Sequence, residues 1–249
     1  ALSSASQQAI NTLRNQQTNW GDELFRNAVN QQYTASVSGG TDAHTYYISG
    51  GFYDEKATTK GVDMRRYSLT FSNNFNINSK LKGGLSLLGS ATDRHNLIQD
   101  ADGFSNPSKY ARTANPYLQV RDAQGNYIYD RDIEGFEKNT YIPFNVIEER
   151  ENTSYSLANK SMKAIANLEY QIIPSLSVRT ELGLQFEEVG TERFGDKESY
   201  FTRKFRENTR YYDSQTKQYK YFLPDGGIIE NNSKSDFQYN WKSFVQYNK

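Results

Sequence analysis

From Arg66 to Asn78 the chain reads R-Y-S-L-T-F-S-N-N-F-N-I-N. Tyr67, Leu69, Phe71, Phe75 and Ile77 fall on one side, and Arg66, Ser68, Thr70, Ser72, Asn74 and Asn76 on the other. A period of two is that of a β-strand, here with one apolar and one wet face. The same pattern recurs. Tyr33, Ala35 and Val37 oppose Thr34, Ser36 and Ser38, and Tyr46, Ile48 and Phe52 oppose Tyr47, Ser49 and Tyr53. Leu81, Gly83, Leu85, Leu87, Gly89 and Ala91 oppose Lys82, Gly84, Ser86 and Ser90. Farther on, Met162, Ala164, Ala166, Leu168, Tyr170 and Ile172 oppose Lys163, Asn167, Glu169 and Gln171. Leu176, Val178, Leu182, Leu184 and Phe186 oppose Ser177, Arg179, Glu181 and Gln185. A last strand sets Phe237, Tyr239, Trp241, Val245 and Tyr247 against Gln238, Asn240, Lys242 and Gln246.

The connections form a second regularity. Turns after the first, third and fifth strands are short, whereas the links after the second, fourth and sixth run from ten to about seventy residues. The pattern divides the chain into a loop with short helices at 1–28, four strands at 29–94, a long excursion at 95–161, a hairpin at 162–188, a second excursion at 189–234 and a last strand at 235–249. In the opening segment Ala9, Ile10 and Leu13 are helically spaced, and Thr18 or Asn19 is placed to cap a short helix carrying Trp20, Leu24 and Phe25. R-D-A-Q-G-N-Y, between Tyr117–Val120 and Tyr127–Tyr129, is a turn signal within the first excursion. Y-Y-D-S-Q-T-K-Q-Y-K-Y predicts a hairpin within the second.

Long loops on one side and tight turns on the other, with strands able to supply the roughly 9–11 residues needed to cross a bilayer, predict an all-β antiparallel transmembrane barrel segment. A soluble β-sandwich would share the alternation, with its apolar faces as a core. Against it, those faces mix Ala35, Gly50, Gly83, Gly89, Ala164 and Ala166 with aromatics near the strand ends, a roughness that lipid tolerates and a filled core does not. An odd count of about seven strands, with open edges that hydrocarbon would penalise, predicts a piece of a larger barrel.

Composition agrees. Only 36% of the residues are apolar, while Tyr (19) and Phe (14) are abundant, and the mean hydropathy is -0.85. Charge balances at 29 basic against 29 acidic residues, which gives no reason for a nucleic-acid partner. The absence of cysteine excludes disulfides, thiolate metal sites and a cysteine nucleophile. No run of eighteen apolar residues suggests a membrane helix, and the start A-L-S-S-A-S-Q-Q lacks the basic and apolar regions of a signal peptide, as in a mature chain or one cut from something longer.

Specific blocks carry a resemblance: T-N-W-G-D-E-L-F-R-N-A (Thr18 to Ala28), Y-T-A-S-V-S-G-G-T (Tyr33 to Thr41), Y-Y-I-S-G-G-F-Y-D (Tyr46 to Asp54), K-G-V-D-M-R-R-Y-S-L (Lys60 to Leu69) and L-K-G-G-L-S-L (Leu81 to Leu87). In order and spacing they resemble the SusC/RagA family of TonB-linked outer-membrane proteins of Bacteroidetes. Asn19 and Leu24 depart mildly from that family's usual first block. The resemblance is specific over about residues 17–92 and weaker beyond. It implies a barrel of about 22 strands, an N-terminal plug, a TonB-interacting segment and a SusD-type surface lipoprotein as a lid. It further implies import of a large nutrient, glycan or oligopeptide. The plug and the TonB segment lie outside this sequence.

Candidate chemistry is sparse. His44 and His95 form no metal cluster. Asp100 and Asp102 sit in Q-D-A-D-G-F-S-N, which lacks the ligand pattern of a calcium loop. Glu187 and Glu188 are adjacent on alternate faces rather than convergent. No nucleophile or zinc-protease motif is present, so the chain reads as a non-enzyme without cofactor. Arg66, Lys82, Arg179, Glu181 and Lys242 on the wet faces are expected to face the lumen, as plug contacts or substrate path. Tyr117, Tyr127, Tyr129, Tyr211 and Tyr212 are aromatic candidates for stacking on a ligand or contacting a lid, or for folding the loop on itself. A passive pore and a soluble carbohydrate-binding β-module are the alternatives to a TonB-coupled importer.

Overall fold

The structure, a computed structural model, describes residues 3–98, 103, 105–130 and 141–248. Seven long strands form one antiparallel sheet: β1 (Val29–Thr41), β2 (His44–Lys56), β3 (Asp63–Asn76), β4 (Leu81–Asn96), β5 (Thr153–Ile173), β6 (Leu176–Gly195) and, beyond a two-stranded hairpin of β7 (Tyr211–Asp213) and β8 (Gln218–Lys220), β9 (Ile228–Tyr247). The order is β1-β2-β3-β4-β5-β6-β9, each strand beside its sequence neighbour in the sheet. The helices α1 (Ser4–Arg14), α2 (Trp20–Leu24), α3 (Pro107–Thr113), α4 (Val146–Asn152) and α5 (Tyr200–Asn208) all lie in the connections.

Register confirms the two faces. One row runs Val37–Ile48–Phe71–Leu87–Ala164–Leu184–Tyr239, and the next Ser36–Ser49–Thr70–Leu88–Lys163–Gln185–Gln238. No second layer covers the apolar face among the described residues: Tyr239, Trp241 and Val245 are 75%, 74% and 71% exposed. A β-sandwich would bury this surface, and among the described residues it stands open. Alternation breaks where Leu88, Ile165 and Phe244 fall on the wet face and Asn73 on the apolar one, and the ladder carries through these breaks.

The three short turns share one end of the sheet. Thr41 pairs with His44 across a two-residue loop. Gly40 adopts φ +155, and a Cβ there would lie 2.2 Å from the His44 carbonyl oxygen. Asn78 closes the second turn through its side-chain oxygen, which accepts from Lys80 N and Leu81 N at 2.9 Å each. Ile173 pairs with Leu176 across the third, beside a bulge.

The strands β5, β6 and β9 are longer than the alternation predicts. They begin or end at Thr153, Gly195 and Ile228 rather than near 162, 188 and 235, so the excursions shrink to residues 97–152 and 196–227. The overshoot has a physical reason. Above Met162, Phe186 and Phe237, the face that was apolar carries Lys160, Glu188 and Ser235, so the hydrophobic signal stops while backbone pairing continues. On β1 to β3 the same row still holds Tyr33, Phe52 and Tyr67. The apolar band thus drifts across the hydrogen-bonded rows, as it does when strands tilt.

The buried core lies in the connections and outside the sheet. Trp20, Leu24, Tyr110, Ile142, Phe144, Val146, Ile147 and Tyr200 form one cluster drawn from the opening segment and both excursions. Trp20 meets Tyr110 edge-on at 5.1 Å, Tyr110 meets Phe144 at 5.6 Å, and Phe144 meets Tyr200 at 5.1 Å. Asn19, one of the two expected caps, accepts from Gly21 N and starts α2. α1 forms as its spacing predicts but buries none of its residues.

Candidate functional site

Four of the five charged wet-face candidates come together near the short-turn end. Lys82, Glu169 and Arg179 share one row and Glu181 and Lys242 the next. Arg179 lies 3.8 Å from Glu181. The part of this ladder on β5, β6 and β9 lines an open trough of about 760 Å³ that includes Glu169, Arg179, Glu181 and Lys242. In the sequence Glu169 is one wet-face residue among several, and register with Lys82 and Arg179 makes it the centre of the row. Arg66 stands apart, ten residues up β3 from Asn76, with its guanidinium 5.4 Å from the Tyr53 ring.

Between these zones the wet face is lined by short hydroxyls. Ser72 and Ser86 lie 3.2 Å apart, and Ser90 and Ser161 3.0 Å apart. Gly51 keeps the surface low, because a Cβ there would meet Ser68 Oγ at 2.6 Å.

At the other end the excursions build a cap. The Trp20 indole N–H donates to the Asn115 carbonyl at 3.1 Å, and the Thr18 hydroxyl donates to the Leu118 carbonyl at 2.7 Å. α2 also grips the β2–β3 link: the Lys60 N–H donates to Leu24 O at 3.0 Å, and the Arg26 guanidinium donates to Ala57 O and Val62 O at 3.1 Å. Asn106 and Asn145 cap α3 and α4, with Pro107 at the first turn of α3. That Asn-Pro step is a helix-start signal that could have been read from the sequence.

The aromatic candidates divide. Tyr127 and Tyr129 fold the loop on itself: the Tyr127 hydroxyl donates to Glu151, with the Arg121 guanidinium 3.8 Å from its ring, and the Tyr129 hydroxyl donates to Glu148 at 3.1 Å. Burial, then the neighbouring carboxylates, push both phenols above their ordinary values. Tyr117, Tyr211 and Tyr212 are about half exposed. The predicted R-D-A-Q-G-N-Y turn forms, with Asp122 accepting from the Asn126 side-chain amide at 3.0 Å and from Asn126 N and Gln124 N, and these bonds hold its carboxyl below the usual range. The second predicted hairpin is β7–β8, where Tyr212 and Tyr219 meet edge-on at 5.4 Å.

α4 and α5 meet through carboxylates that the sequence reading passed over. Glu148 and Glu149 are buried. Glu149 accepts from the Tyr200 and Phe201 backbone N–H groups in the first turn of α5. Glu148 accepts from Arg203, which also donates to Pro143 O at 3.1 Å. Burial pushes the Glu149 carboxyl up to about 7, against the opposing pull of the two N–H groups and Arg203.

His95 pairs with Asp63 at 2.9 Å on the exposed surface, and His44 lies against Tyr46. Among the described residues no group of three potential ligands could hold a metal. Asp100 and Asp102 lie outside the described residues.

An antiparallel wall with one apolar and one wet face, tight turns at one end and a folded cap at the other, defines a segment of a transmembrane β-barrel. No family model matches the chain. It is similar to TonB-dependent receptor P3 of Formosa agariphila, 21% identical over 185 residues, covering 71% of this chain and 17% of that protein. TonB-dependent receptor P39 of the same organism is 22% identical over 181 residues, covering 72% and 16%. Among solved structures it is similar to the RagAB peptide importer in the open-open state, with a TM-score of 0.65, 17% identity, and coverage of 93% of this chain and 23% of that one. The closed-closed state gives 0.57, 20%, 73% and 20%. The chain is thus similar to a stretch of these TonB-dependent receptors and shares the fold of the matching stretch of the RagAB structures; it spans only 17% and 16% of its curated relatives' length. Those relatives are receptors and importers rather than enzymes.

Proposed function

We propose that this chain forms part of the wall and extracellular mouth of an outer-membrane importer that takes up a large polar nutrient, oligopeptide or glycan. A SusD-like lipoprotein serves as its lid, and TonB drives it through segments outside this sequence. The observation that carries the reading is the pairing of an exposed apolar face with a wet face on one sheet whose excursions all leave from the same end. Lipid covers the first face and the lumen lies behind the second. Arg66, Lys82, Arg179, Glu181 and Lys242 then contact the plug or line the path. Tyr117, Tyr211 and Tyr212 stand where a ligand or lid reaches the mouth, while Tyr127 and Tyr129 hold the cap together. An oligopeptide is favoured over a glycan only by the likeness to the RagAB peptide importer.

This chain carries no cysteine, so once any cysteine elsewhere in the full-length protein is replaced, single cysteines placed along β3 report each face in cells. Positions 68, 70 and 72 should react with a water-borne maleimide, and positions 67, 69 and 71 should not. Equal labelling of both sets would overturn the barrel reading. Uptake of a labelled peptide mixture that persists after TonB is removed would replace the importer with a passive pore. A chain that stays monodisperse in buffer without detergent would favour the soluble module.

A further inference from the structure

The cap contains a buried ionisable group that the transport reading does not use. Glu149 projects from α4, in the first excursion, onto the first turn of α5, in the second. Its carboxylate takes the Tyr200 and Phe201 N–H groups, which that nine-residue helix cannot satisfy internally. Ser199 caps the same helix through Thr202 N at 3.1 Å, so Glu149 completes the end from across the interface. The space beside it is small. Glu149 borders a cavity of about 10 Å³ walled by Leu24, Leu97, Ile98, Pro107 and Val146 and by the polar Lys60, Ser105, Arg150 and Thr153, room for one water molecule at most.

The charged groups around it are already committed. On its own helix, Glu148 binds Arg203 and Tyr129. Arg150 donates to Glu23 O at 3.0 Å. From α5, Arg203 divides itself among Glu148, Pro143 O and Glu198 O. From the β2–β3 link, Lys60 donates to Asp22 O.

We propose that Glu149 and the first turn of α5 form a proton-operated clasp that fastens the second extracellular excursion to the first, tight when Glu149 is protonated and slack when it is ionised. A neutral carboxyl still accepts through its carbonyl oxygen and carries no charge to desolvate. An ionised one cannot be hydrated in so small a cavity without opening the α4–α5 contact. The sign follows from linkage. A carboxyl raised from 4.5 to about 7 binds its proton more readily in the closed cap than in the open one, so closure is favoured below about pH 4.5 and weakens as pH rises through about 7. α5 leads directly into the β7–β8 hairpin, so slackening frees the exposed Tyr211 and Tyr212.

The test is hydrogen exchange of the segment 199–206 in the full-length protein in nanodiscs, with rates corrected for the intrinsic effect of pH. Between about pH 4 and about pH 8 the opening equilibrium should rise by up to about 300-fold, the factor set by a shift from 4.5 to about 7. In Glu149→Gln it should be flat with pH, while Glu192→Gln, at an exposed carboxylate on β6, should keep the wild-type slope. If Glu149→Gln loses protection throughout the cap, Arg203→Gln takes its place: removing the cation that favours the ionised form should move the midpoint upward. A flat wild-type profile, an unchanged slope in Glu149→Gln, or a downward midpoint in Arg203→Gln overturns the clasp.

Discussion

Ala166 and Asn167 are adjacent on β5, yet the register assigns them to opposite media. Ala166 lies in a row with Leu85 and Leu182, near the middle of the apolar run Met162 to Ile172, and Asn167 pairs with Gly84 and Glu181. Replacing either by Lys adds the same charge to the same strand without removing a large apolar side chain. At Ala166 the ammonium faces hydrocarbon near mid-depth, a placement that costs about 2–4 kcal/mol in a transmembrane barrel. At Asn167 it faces the wet side opposite the Glu181 carboxylate and should change stability by no more than about 0.5 kcal/mol. A gap of about 3 kcal/mol is a factor of about 150 in the folded-to-unfolded ratio. The assay is urea titration of the full-length protein folded into phospholipid vesicles, followed by gel mobility of the folded barrel. Equal costs at the two positions, or a larger cost at Asn167, would refute the assignment of faces.

Asn73→Leu should stabilise the folded barrel by about 1–2 kcal/mol in the same titration, because the Asn73 Oδ1 is buried without a partner among the described residues, on the apolar face. Gly40→Ala should cost more than about 1 kcal/mol and slow hairpin formation in refolding experiments, since the new methyl group would run into the His44 carbonyl. Trp20→Ala should cost the cap about 3–5 kcal/mol through loss of the Tyr110 contact and the bond to Asn115 O. Hydrogen exchange should then rise in the segments carrying Tyr110 and Phe144 while β2 to β5 stay protected, because the sheet does not draw on that core.

The strands, their faces and the one-sided excursions could be read from the sequence because they rest on local regularity. A side chain's medium alternates with every residue, and Asn78 or Gly40 states its turn within a few positions of it. The charged ladder was half legible: Lys82, Arg179, Glu181 and Lys242 each announce a wet face, but their meeting in two adjacent rows depends on register between strands whose sequence separation is large. The upper halves of β5, β6 and β9 were invisible for the opposite reason. Once both faces meet water, hydrophobic patterning carries no information, and only backbone pairing with a neighbour keeps the strand extended.

The cap belongs wholly to tertiary structure. Trp20, Tyr110, Phe144 and Tyr200 come from three connections, and no periodic signal marks residues that are selected only by meeting one another. Tyr127 and Glu149 show the same limit. As letters they are an aromatic in a loop and one acid among several. Their partners, Glu151 and the α5 N-terminus, decide that one holds the loop closed and the other carries a charge the fold disfavours. The sequence by itself determined which face of each strand is apolar and which is polar, because the alternation is written one residue at a time. Which excursions fasten to which was decided only by the fold, because burial and hydrogen bonding act between residues the chain keeps far apart.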